Sequence, residues 1–291
     1  MREITLEELL EAGCHFGHQV TRSNPKSRDF VFEARDNIHI IDLAKTKQGL
    51  EDAGAFVKAL GEKGGTLLLV ATKRQAQGIV QEEITRVKNM FKVEGKPQND
   101  GLYYVTNRWI GGVLTNLAEV SKNYKKLSDL KANLVSPEAK AKYTKREVGQ
   151  WAKEAQRLES LYGGVCELKE KPDALFIIDS HLEDMAVREA MAMHVATVAI
   201  VDTNANPHVI DYPIPANDDA VGSIKLITSY IMDAWIEGRK AFEVNSKKQA
   251  QVAKDAEEKA QKKEEKKAEV KEKPAKVEKV AKPKTVKAKK K

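Results

Sequence analysis

Residues 66–77 read TLLLVATKRQAQ. The first six carry no charge and show no polar alternation, which is the pattern of a strand covered on both faces in a parallel sheet. Thr72 follows at once, with Gln75 three residues later, the spacing of a helix capping box. A buried strand running directly into a helix is half of a βαβ unit. Further strands of this kind are expected at Ile38–Asp42, Leu102–Thr106, Ala174–Asp179 and Thr197–Asp202, and further capping boxes at Thr5 with Glu8, Thr144 with Glu147 and Ser180 with Glu183. The fold class is α/β, a parallel sheet flanked by helices.

Between Thr106 and Ala174 lies more chain than one crossover helix needs. Leu117, Val120, Tyr124, Leu127 and Leu134 follow an apolar 3,4 spacing, as do Val148, Trp151, Ala155, Leu158 and Tyr162. Two such helices joined around VSPEAKAKY form an antiparallel coiled-coil hairpin. Gly111–Gly112 and Gly163–Gly164 bracket it, so the expectation is a projecting arm at residues 113–162, inserted into an α/β body made of residues 1–112 and 163–245.

Residues 246–291 hold 18 Lys against 8 Asp or Glu and no aromatic residue, a composition that cannot offset chain entropy by burial. This segment reads as a disordered tail, with transient helix before Pro274. It carries +10 of the chain's net +7, leaving −3 for the folded part, so any nucleic-acid surface there must be a local patch. Residues 119–159 supply one, with ten Lys or Arg and six Asp or Glu. Two cysteines, Cys14 and Cys166, exclude a disulfide framework, and MREITLEELLEAG lacks the apolar core of a secretory signal. With no long uncharged apolar run in the chain, a cytoplasmic protein without a membrane span is expected.

A dinucleotide or P-loop site needs glycines after the strand, whereas Gly61, Gly64 and Gly65 precede it. The turn after the strand instead carries Lys73 and Arg74 in the first turn of a helix, where the macrodipole disfavours cations. They either swing into water or face, with the helix amides, a phosphate backbone. Arg22, Lys26, Arg28 and Arg35 are interleaved with Phe16, Phe30 and Phe32 on Gly-, Asn- and Pro-containing chain, which suits RNA as well as it suits a solvated basic loop. Cys14, His15 and His18 crowd together, but no HExxH spacing and no second ligand pair accompanies them. No GxSxG elbow or paired cysteine points to catalysis.

The segments LLEAGCHFGHQVTRSNPK, IHIIDLAKT, VATKRQAQ, NRWIGGVLTN, PDALFIID and VAIVDTNANPHVIDYPIPANDDA, in this order from Leu9 to Ala220, together resemble the bacterial small-subunit ribosomal protein number two. The resemblance implies a flavodoxin-like α/β body with a protruding coiled-coil hairpin. It also implies a non-enzymatic role, binding small-subunit ribosomal RNA between body and head beside other ribosomal proteins and helping to recruit ribosomal protein number one. No required cofactor, membrane or small-molecule substrate is implied; a family-like structural divalent ion would borrow His18 and Asp202, since imidazole and carboxylate are competent ligands. Ser23 stands where the family usually has Trp, and residues 91–100 look like extra loop, as does the Lys-rich tail. On this reading the RNA contacts are Arg22, Lys26, Arg28, Arg35, Lys73, Arg74 and Arg108 on the body and Lys122, Lys125, Lys126, Lys145 and Arg146 on the arm. Asn107 and Trp109 flank Arg108 and fix the approach to the arm, or Trp109 packs in the core. The segment holding Cys14, His15 and His18 closes onto the body and faces RNA. The rival is an α/β enzyme that binds a small phosphorylated ligand and a divalent ion through Asp179, Asp202 and Asp218 at strand carboxyl ends.

Overall fold

The computed structural model describes residues 2–92, 101–137 and 142–272, with side chains as far as residue 246. Five strands, β4 (Leu67–Val70), β5 (Leu102–Val105), β6 (Ala174–Ile178), β7 (Ala196–Val201) and β8 (Tyr212–Pro215), form a parallel sheet in the order β5-β4-β6-β7-β8. This is the flavodoxin order, in which the chain reverses direction between the first strand and the third. Every residue of β4 and β6 is buried. Successive side chains alternate between two cores, as the strand period requires: Leu67 and Leu69 lie with Phe176, Ile200 and Trp235, and Leu68 and Val70 with Leu175, Ile177 and Val201. Each such Leu or Ile contributes about 1.5–3 kcal/mol by leaving water.

Helices α2 (Leu43–Glu62), α3 (Arg74–Phe91) and the start of α7 (Val221–Glu272) cover the first face, with α1 (Leu6–Glu11) beside them; α4 (Leu117–Val135), α5 (Lys145–Tyr162) and α6 (Asp184–Met193) cover the second. The pattern expected of the insert is present in α4 and α5. Val120, Tyr124, Leu127, Ala155, Leu158 and Tyr162 are buried, and the rings of Tyr124, near the start of α4, and Tyr162, ending α5, meet edge-on at 5.5 Å, so the two helices run antiparallel. Their seam is continuous with the core under Leu68 and Val105. At its base Gly164 passes so close to β5 that a Cβ there would lie 2.2 Å from the Tyr104 carbonyl oxygen. Gly164→Ala should therefore lower the denaturant midpoint by an amount equivalent to about 2–3 kcal/mol; a midpoint equal to wild type would show that the hairpin base can shift freely.

Several sequence expectations need correction. Ile38–Asp42 is a strand, but β3 (Ile38–Ile41) belongs to a separate antiparallel sheet of order β1-β3-β2, with β1 (Phe16–Gln19) and β2 (Val31–Arg35). Both capping boxes at Thr5 and Thr144 form. The other two do not: α3 begins at Lys73 as its cap without a side-chain bond, and the Thr72 hydroxyl turns to Glu183. Helix α6 begins at Glu183 in the same way, and Ser180 Oγ has no hydrogen-bond partner among the described residues. The chain divides into two compact units, Met1–Phe242, which holds both layers and the α4–α5 pair, and Glu243–Lys291. In place of disorder throughout 246–291, the backbone of α7 stays helical to Glu272; residues 273–291, the loop 93–100 and residues 138–141 of the hairpin connector lie outside the described residues.

Candidate functional site

All five parallel strands end on the same edge of the sheet, and the residues just beyond them converge there. Asp179 follows β6 in the left-handed conformation, φ 68°, and its Oδ1 accepts the amides of His181 and Leu182 at 3.1 and 2.9 Å. Asp202 follows β7, and Asp218 and Asp219 follow β8. Opposite them stands Lys73, which follows β4. Its Nζ lies 3.1 Å from Asp179 Oδ2, 2.8 Å from Asp218 Oδ1 and 2.7 Å from Asp219 Oδ1, leaving the side chain 14% exposed. This is the switch point of the sheet, between β4 and β6, where open α/β folds gather their ligand groups.

The amino-terminal sheet closes over one side of this cluster. Gly17 approaches so near that a Cβ would lie 2.7 Å from Thr203 Cγ2, and the His18 amide donates to Thr203 Oγ1 at 2.9 Å. The Asn24 amide and Ser27 hydroxyl both donate to the Thr203 carbonyl, at 2.8 and 2.7 Å. So fixed, His18 places Nδ1 3.1 Å from Asp202 Oδ2 and Nε2 3.5 Å from Asp219 Oδ2. The histidine that the sequence aims at RNA is thus turned into the protein. Cys14 is fully buried, and His15 packs against Phe16 with ring centres 4.0 Å apart and the planes tilted by 40°.

Charge in the cluster is unbalanced. Four aspartates face one ammonium, and Asp202 and Asp218 are almost wholly buried. Burial, reinforced by the charges of Asp179 and Asp202, pushes the Asp218 carboxyl up to about 7 against the pull of Lys73, and Asp218 Oδ2 has no hydrogen-bond partner among the described residues. Burial alone would lower Lys73, but hydrogen bonds to Asp218 and Asp219 hold its ammonium above the ordinary lysine value. The hydrogen bond to Asp202, working against burial, raises His18.

The remaining candidate RNA contacts lie elsewhere. Arg22, Lys26 and Arg28 sit on two short 3-10 turns and Arg35 ends β2; all four are exposed and form no ion pair with the described residues. Arg74 and Arg108 are exposed as well. Asn107 donates to the Ser160 carbonyl at 2.6 Å, tying the exit of β5 to α5. On the helix pair, Lys122 and Lys126 are bound to Glu119 and Glu154 at 2.6 and 3.0 Å, whereas Lys125, Lys145 and Arg146 are exposed without an ion pair among the described residues. Trp109 packs in the core, where its indole N–H donates to Glu189.

Glu189 carries no sequence signal within REAMAM, yet it organises the whole turn from β5 into α4. Its carboxylate accepts from Trp109 Nε1 and from the amides of Gly112, Leu114 and Thr115 at 2.8–3.2 Å. Burial would raise its pKa, but these donors outweigh burial and hold it below the ordinary glutamate value. A family model described as ribosomal protein S2 matches residues 9–238.

Proposed function

The chain belongs to the ribosomal protein S2 family, and we propose that it is a structural constituent of the small ribosomal subunit. In this reading it binds small-subunit ribosomal RNA between body and head, among other ribosomal proteins, and helps to recruit ribosomal protein number one. It works on the ribosome in the cytoplasm, without catalysis. Among the described residues no helix is long and apolar enough to cross a membrane. The family match across both the α/β layers and the helix pair carries the reading. Exposed cations on the amino-terminal segment and on the helix pair support it, because phosphate contacts need charge that no carboxylate already holds. Lys73, committed to three aspartates, is the weakest of the proposed contacts.

The helix pair acts in this proposal as a coiled-coil arm, residues 113–162, whose outer face meets RNA. Lys125, Lys145 and Arg146 supply the free charge. Changing these three to Glu should leave helicity intact while the slope of log affinity against log salt falls by about 2, at roughly 0.7 per lost phosphate contact. An unchanged slope would place the main RNA surface on the body.

The enzyme reading is weaker. Each of Asp179, Asp202 and Asp218 already engages protein donors through at least one oxygen, and none is more than 6% exposed. Co-sedimentation with small subunits lacking this protein separates the readings: stoichiometric recovery in the subunit peak is expected, and failure to co-sediment together with tight binding of a phosphorylated small molecule by the free protein would reverse the choice.

A further inference from the structure

We propose that the slot at the base of the helix pair, between the first turns of α4 and residues 166–169, binds a small amphiphilic carboxylate, a monoanion with a short apolar chain. The slot is a cavity of about 480 Å³, within the range of about 300–1,000 Å³ in which proteins hold small molecules. The residues that line it belong neither to the proposed RNA contacts nor to the strand-end cluster.

Its lining is chemically one-sided. Leu117, Ala118 and Leu168 supply apolar walls, and no carboxylate or amide side chain reaches it. The Ser121 hydroxyl already donates to the Ala118 carbonyl at 2.8 Å, and the Cys166 thiol to the Gly163 carbonyl at 3.4 Å. Two donors are left over. Tyr124 is 6% exposed, and its hydroxyl is buried without a hydrogen-bond partner among the described residues, a costly arrangement that an acceptor in the slot relieves. Burial, with Tyr162 and Cys166 beside it, pushes the phenol pKa up, so the group stays a donor. Lys169 is exposed and forms no ion pair with the described residues.

The helix sets the sign of the charge. Leu117 and Ala118 are the first two residues of α4, whose cap, Asn116, makes no side-chain bond, so the positive end of the helix dipole opens into the slot. Glu119, in the same turn, is held by Lys122 at 2.6 Å. A cation would leave both donors unmet, and an alcohol would forgo the ammonium. A carboxylate has one oxygen for the phenol and one for Lys169, while its chain lies against Leu117 and Leu168. Bound there, it ties together the two ends of the inserted helix pair.

Octanoate is the probe. The full chain should bind one equivalent in calorimetric titration with a dissociation constant of about 0.1 mM, reasonable for a ligand of about ten non-hydrogen atoms. Octylammonium and octan-1-ol should bind at least about tenfold more weakly. A second readout is chemical. Cys14 is fully buried, so in the folded chain a disulfide reagent reaches Cys166, and octanoate at about ten times its dissociation constant should slow that reaction about tenfold. Lys169→Gln should weaken binding about tenfold. Tyr124→Phe should weaken it about fivefold yet melt no lower than wild type, since it discards a hydroxyl that has no partner. Ala118→Phe, at an exposed helical position, fills the slot and should abolish binding. Equal affinity for octanoate and octylammonium, or no change in Lys169→Gln, overturns the anionic class. Binding that survives Ala118→Phe or leaves the Cys166 rate unchanged overturns the site, as does absence of binding at about 2 mM octanoate. Lys169 and Ala118 are exposed, so their variants decide the matter even if Tyr124→Phe fails to fold.

Discussion

Lys73→Met should destabilise the protein by about 3–5 kcal/mol, one of the two largest losses any single substitution on this surface would cause. A lysine at the start of a helix is ordinarily a poor choice that water tolerates. Here the ammonium sits among Asp179, Asp218 and Asp219, and its removal leaves Asp218, fully buried, facing Asp179 and Asp202 without a compensating charge. The contact to Asp219 adds little, since that carboxylate is more than half exposed and screened. The loss comes from the buried pair, where desolvation has already been met and only the partner is withdrawn. A fall in melting temperature of roughly 10 °C is expected, at about 2–4 °C per kcal/mol for a chain of this size. Adding Asp218→Asn to Lys73→Met should restore a large part of it, because the two effects share one interaction. If Lys73→Met melts with wild type and instead loses RNA affinity, the ammonium turns outward in solution and belongs with the RNA contacts after all.

What the sequence discloses and what it hides follows from the range of the interactions. β4 and β6 are legible because both faces are buried, so their apolar runs have no polar interruption. β8, YPIP, is hidden by its prolines, which an edge strand tolerates because one side needs no donors. The hairpin from β2 to β3 turns through Asp36 and Asn37, with φ of 48° and 62°, and that dipeptide is a turn signal the strand pattern overshadowed. Capping at Thr5 and Thr144 is settled locally and reads correctly; at Thr72 a glutamate 111 residues away takes the hydroxyl instead. Lys73 is visible as a broken local rule, but the aspartates that explain it lie 106 and 145 residues along the chain. Position in the topology, which brings every strand end to one edge, is the information that local pattern lacks.

Glu189→Ala should cost about 3–5 kcal/mol, although nothing in the sequence around it predicts more than a helical surface position. Its carboxylate serves Trp109 Nε1, the amides of Gly112, Leu114 and Thr115, and the Thr115 hydroxyl. Removing it strands an indole N–H and three amides in a turn too short to rearrange into regular structure, and opens a space beside Val113 and Leu114, which are buried. Gln tests whether the anion or the volume matters: Glu189→Gln keeps the shape but turns one acceptor into a donor facing donors, and should cost about 2–3 kcal/mol. The damage is expected to be local before it is global, because these donors all lie in residues 109–115, the path from β5 into α4. Limited proteolysis at Arg108, exposed at the head of that path, should therefore accelerate in Glu189→Ala under conditions where the sheet remains folded. Equal cleavage rates with a lowered melting temperature would mean that the turn and the sheet open together, making the helix pair part of one cooperative unit; equal rates with an unchanged melting temperature would show that the five hydrogen bonds contribute nothing net, and that packing of Trp109 alone holds the approach to the helix pair.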